Sequence, residues 1–104
     1  MTMLLDHSGR TIRLTRERRE YILLRPEMAE LEAEIAESLR QPERVVQSLS
    51  DPEAWLYYRR YPTTRVGDKY LCVVVKIQAD DAFLVTAYLT DTVKKGTQLW
   101  PRES

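Results

Sequence analysis

Cysteine and histidine occur only once each in the 104 residues, as Cys72 and His7, and net charge is absent because 16 basic side chains balance 16 acidic ones. A single cysteine excludes an intramolecular disulfide framework and a cysteine metal cage, and inside a strand it reads as a small apolar residue. The lone histidine sits in a turn, where it reads as a solvated bystander, since a catalytic base must be held within reach of its proton. Zero net charge removes any global electrostatic argument for nucleic acid. The opening Met1 to Leu5 runs at once into Asp6 and is too short for a signal peptide or a membrane span. A cytoplasmic protein with no membrane partner is expected.

Repeats, low-complexity stretches and linkers are lacking too, and 43% apolar content over this length fits one core in a single domain, 1–104. Charge is unevenly spread. Residues 1 to 25 hold six Arg against three acids, and residues 26 to 39 hold five Glu and no base. A basic surface on one side and an acidic helix elsewhere are expected, with the glutamates as a solvated face.

Met3-Leu4-Leu5 and Thr11 to Leu14, joined across Asp6-His7-Ser8-Gly9, read as a hairpin. Thr15 is placed to cap a helix through about Leu24, and Pro26 to end it and open a second helix to about Leu39. The apolar stripe of that second helix is Met28, Leu31, Ile35 and Leu39. Strand character follows at Arg44 to Leu49 and Trp55 to Tyr61. Two period-2 runs then fill Tyr70 to Thr90, and Leu99-Trp100 reads as an edge strand or a packed chain end. Pairing Val75 with Val85 puts Leu71, Val73, Val75 and Ile77 on one face with Phe83, Val85, Ala87 and Leu89. The other face shows Tyr70, Cys72, Val74 and Lys76 beside Leu84, Thr86, Tyr88 and Thr90. The expected fold is α+β: an N-terminal hairpin, then two helices packed on one face of a four-stranded antiparallel sheet whose other face is open.

Several stretches carry a resemblance: Arg-Glu-Tyr-Ile-Leu-Leu-Arg-Pro-Glu-Met from Arg19, Leu-Tyr-Tyr-Arg from Leu56, Lys-Tyr-Leu-Cys-Val-Val-Val-Lys from Lys69, Val-Thr-Ala-Tyr from Val85, and Lys-Lys-Gly before Leu99-Trp100. Together they resemble the phage-barnase-EndoU-colicin-RelE-like (BECR) nucleases. That resemblance implies metal-independent RNA cleavage, with catalytic groups from the first helix and the open sheet face and no cofactor. The chain departs from the family in carrying Tyr21 and Arg25 where members commonly have histidine; RelE-like members cleave without it.

RNA supplies its own nucleophile, the 2′-hydroxyl, so a base, an acid and cations suffice. Arg59, Lys76 and either Arg25 or Arg18 are the expected cations, Thr86 a hydrogen-bond donor to phosphate, and Tyr88 or Tyr21 the acid or base. Tyr58, Lys94 and Lys95 are expected to contact the nucleic acid. Adjacent Arg59 and Arg60 point to opposite faces; periodicity leaves open which joins Lys76, and the resemblance favours Arg59. The alternative is an inactive RNA- or protein-binding module on the same fold. RNA is the expected partner, with an antitoxin or inhibitor and a homodimer as further expectations.

Overall fold

Thr15 leaves the second strand in extended conformation, and its hydroxyl accepts from the Arg18 amide at 3.2 Å, which starts the first helix where the sequence places it. Thr15→Ala is expected to lower stability by about 1 kcal/mol, measured by denaturant unfolding, with no change in the unfolding slope. The computed structural model describes residues 1–102. Its elements are β1 (Thr2–Leu5), β2 (Thr11–Leu14), α1 (Arg16–Leu23), α2 (Glu32–Arg40), β3 (Arg44–Ser48), β4 (Ala54–Thr64), β5 (Gly67–Ile77), β6 (Ala82–Thr90) and β7 (Gly96–Trp100). Gly9 closes the β1–β2 turn at φ 87°, a conformation that side chains resist. Pro26 does not open α2. Residues 26–30 form turns that drive Met28 into the core, and α2 begins only after Leu31.

The four-stranded antiparallel sheet is corrected to a seven-stranded mixed one, in the order β1-β2-β6-β5-β4-β3-β7. The class remains α+β. The meander β3 to β6 is present, but both of its edges recruit distant segments, as unpaired edge groups favour. At one edge β2 joins β6 in parallel through Arg13 opposite Phe83, and the Arg13 guanidinium bonds Asp81 at 2.7 Å. At the other edge β7 pairs antiparallel with β3.

The helices cover one face, where Ile22, Met28, Ile35 and Leu39 meet Val45, Tyr57, Leu71, Val73, Val75, Leu84 and Ala87. The Val75–Val85 pairing is corrected by a β-bulge: Val74 pairs Thr86 while Val75 pairs Leu84. The extra residue, Val85, reverses the alternation, so Ala82 and Leu84 reach the helix-side core rather than Phe83.

The β1–β2 hairpin curls over the helix-covered face. Its turn is pinned by Asp6, a buried carboxylate that accepts from Ser8 N and Arg10 N at 2.9 Å, Ser8 Oγ at 2.8 Å and the Tyr57 hydroxyl at 2.7 Å. Arg10 lies over the Trp55 ring and His7 lies 4.9 Å from the Trp100 ring, so the two ends of the strand order approach each other.

The opposite face is not open throughout. From β6 to β7 the chain must pass β5, β4 and β3, four strand spacings or about 19 Å. The Cα steps from Thr90 to Gly96 span at most about 21 Å. Residues 91–95 therefore form a short strap across this face, with bends at Asp91 and Thr92. Val93 packs on Val46, Leu56, Tyr58 and Cys72, and the Lys94 amide donates to the Tyr58 hydroxyl at 3.1 Å. Among the described residues no helix is long and apolar enough to cross a membrane.

Candidate nucleic-acid interface

The strap-side face is a grid fixed by strand register. Tyr58, Cys72 and Tyr88 form one row across β4, β5 and β6, Leu56, Val74 and Thr86 the next, and Ala54, Lys76 and Phe83 a third. Beside the strap a concavity of about 450 Å³ opens over this grid. Leu56 and Val74 floor it, Thr86 and Tyr88 supply hydroxyls from β6, Ser48 at the end of β3 and Ser50 in the β3–β4 connection supply two more, and Lys94 and Lys95 approach from the strap. Its size falls in the roughly 300–1,000 Å³ range of small-ligand clefts, room for a nucleotide-sized segment rather than a duplex.

Charge pairing divides the four lysines. Lys76 Nζ lies 2.6 Å from Asp51 Oδ2 and 3.6 Å from Glu53 Oε1, and Lys69 Nζ lies 2.6 Å from Asp91. The bond to Asp51 holds the Lys76 ammonium above its ordinary pKa and the Asp51 carboxyl below its own. Lys94 and Lys95, both exposed, have no carboxylate within 4.0 Å among the described residues. Asp51 is the one acid lining the concavity, and Lys76 already neutralises it. The concavity thus holds two uncompensated positive charges.

The aromatic groups are donors, not bases. Burial pushes the Tyr58 phenol up to about 12, with a partial offset from the Lys94 amide. Burial and the neighbouring Cys72 raise Tyr88 as well, and burial raises the Cys72 thiol. All three keep their protons near neutral pH.

Six expected site residues, Tyr58, Lys76, Thr86, Tyr88, Lys94 and Lys95, share this face; the other four do not. Arg59 stands opposite Leu71 on the helix side, where its Nη1 donates to the Gln41 carbonyl at 2.8 Å and its Nε lies 3.4 Å from Glu37. Its expected partnership with Lys76 is therefore corrected: Arg60, opposite Tyr70, is on the strap side, and it pairs with Asp68. Arg25, two residues beyond α1, donates to the Ala87 carbonyl, while Arg18 and Tyr21 lie exposed on α1. The sheet separates these side chains from Lys76 and Thr86. Ser48, Ser50 and the strap were not anticipated as site elements; the Lys94-Lys95-Gly96 turn was the one local hint.

No family model, curated relative or solved structure matches this chain.

Proposed function

We propose that the protein is an RNA-binding module that holds a single-stranded segment in the concavity beside the strap without cleaving it. One observation carries the reading: among the described residues, the only two lysines without carboxylate partners line the same concavity, among hydroxyl donors and above an apolar floor. Lysine and hydroxyl donors suit phosphate oxygens, and the Tyr88 ring gives a base a surface to stack on. The choice of RNA rests on the resemblance to ribonucleases.

Cleavage on this face is the second reading, favoured by the protonated Tyr88 phenol, which lines the concavity and can donate to a leaving oxygen. It lacks a base. Lys76 is ion-paired, the phenols and the thiol keep their protons, and Arg59 lies across the sheet.

Titration of a fluorescent single-stranded RNA in excess EDTA is expected to show saturable binding and intact RNA. Lys94→Ala/Lys95→Ala should weaken binding about tenfold or more and reduce the slope of log K against log salt by about 1.4, two contacts at roughly 0.7 each. Unchanged affinity in the double variant would remove the concavity from consideration. Fragments ending in 2′,3′-cyclic phosphate would replace the binding reading with the nuclease one.

A further inference from the structure

A larger cleft, of about 710 Å³, lies on the helix side of the sheet, where the β1–β2 turn, the C-terminus of α2 and the end of β7 converge. It is separate from the strap concavity and shares no lining residue with it. Arg40, Arg59 and Arg102 line it, and among the described residues no carboxylate does. Arg40 and Arg102 have no carboxylate within 4.0 Å among the described residues, whereas Arg59 is held between Gln41 and Glu37. The guanidinium groups of Arg40 and Arg102 outweigh the partial negative charge that the α2 C-terminus places there, roughly half an elementary charge.

The same cleft has a planar wall. Trp100 is 40% exposed, and the His7 ring backs it at 4.9 Å with a 38° tilt. The wall is held in place on both sides. Asp6 fixes the turn that carries His7 through its four hydrogen bonds, and Trp100 is the β7 residue paired with buried Val45. A rigid aromatic surface beside convergent guanidinium groups matches a ligand that joins a planar ring to a phosphate.

We propose that this cleft is a nucleotide-binding site that takes a nucleoside monophosphate, the base stacked on Trp100 and the phosphate held by Arg40 and Arg102 with support from Arg59. The site does not depend on RNA binding beside the strap. Arginine forks bind phosphate oxygens in pairs, and the base contributes stacking that neither half of the ligand supplies alone.

Calorimetric titration with adenosine monophosphate, adenosine and inorganic phosphate tests this on the full chain. Saturable binding of the monophosphate is expected, with adenosine and phosphate each weaker by about tenfold or more, since stacking and charge are both needed. Arg40→Ala/Arg102→Ala, at exposed positions, should weaken the monophosphate by about tenfold or more while thermal unfolding is unchanged. Lys94→Ala/Lys95→Ala should leave it unaltered, which separates this site from the strap concavity. Phosphate binding as tightly as the monophosphate would reduce the cleft to a plain anion site and overturn the proposal. So would an absence of saturable binding, or a loss of binding in the lysine variant with none in the arginine variant.

Discussion

Asp6→Ala is expected to reduce the unfolding free energy by about 3 kcal/mol, because it strands the buried Tyr57 hydroxyl and frees the turn amides of Ser8 and Arg10 together. Tyr57→Phe should cost less, about 1 kcal/mol, since Asp6 keeps its other three donors. The effect carries a pH signature. Burial alone would raise the Asp6 carboxyl, but the hydrogen bonds from Tyr57, Ser8 and Arg10 outweigh it and hold the group below its ordinary value of 3.8. A depressed folded-state pKa gives stability that is complete above the unfolded value and is lost as pH falls through the folded one. The stability gap between the native protein and Asp6→Asn should therefore be constant at neutral pH and shrink below about pH 4. A gap that stays the same through that range in denaturant titrations would show that the ionised carboxylate does not organise the turn.

The second large effect is expected at Gly96, the first residue of β7. A Cβ there would fall inside contact distance of the Gln47 carbonyl and 2.5 Å from Val46 Cγ1, so the strand cannot keep its place against β3. Backbone on one side leaves no flexible side chain to yield, and a cost of about 1–3 kcal/mol is expected for Gly96→Ala. The consequence reaches further than β7. The strap is short and Val93 lies three residues before Gly96, so movement at Gly96 should lift Val93 from the Tyr58–Cys72 cluster. Cys72 is fully buried and its thiol is raised by burial, which makes it a reporter. Labelling of Cys72 by a thiol reagent should be about tenfold or more faster in Gly96→Ala, if local opening costs at least 1.4 kcal/mol less. Equal labelling rates in a variant that is destabilised would mean that the strap is held independently of β7.

These two positions also mark what the sequence could and could not convey. Features set by neighbouring residues were legible: the Thr15 cap, the hairpin around Gly9, the burial of Ile35 and Leu39 on α2, and the burial of Leu71, Val73 and Val75 on one face. They follow from a periodicity or a turn requirement that a short segment carries by itself. Three other features depend on partners far along the chain. Nothing in Thr97 to Trp100 says that they will lie beside β3, and nothing in Arg13 announces Phe83 as its neighbour. The bulge at Val85 is hidden in an unbroken alternation, yet it decides that Phe83 is on the strap side.

The site divides in the same way. Lys76, Thr86 and Tyr88 were placed on one face by strand alternation, and they share it. Arg59 was not decidable by alternation, since a one-residue shift exchanges it with Arg60. The register against β5 puts it with Leu71 on the helix side. Arg18, Tyr21 and Arg25 were grouped with the sheet face only through the resemblance, and the sheet stands between them. The strap brings Lys94 and Lys95 to the concavity through the crossing from β6 to β7, which becomes visible only once the strand order is known.

Amide chemical-shift mapping with a short single-stranded RNA tests the binding reading most directly, because it reports where contact occurs without altering the protein. Shifts concentrated at Ser48 to Asp51, at Thr86 to Tyr88 and at Val93 to Lys95 are the expected result. Shifts confined to α1, or no shifts at RNA concentrations that saturate the fluorescence titration, would contradict it.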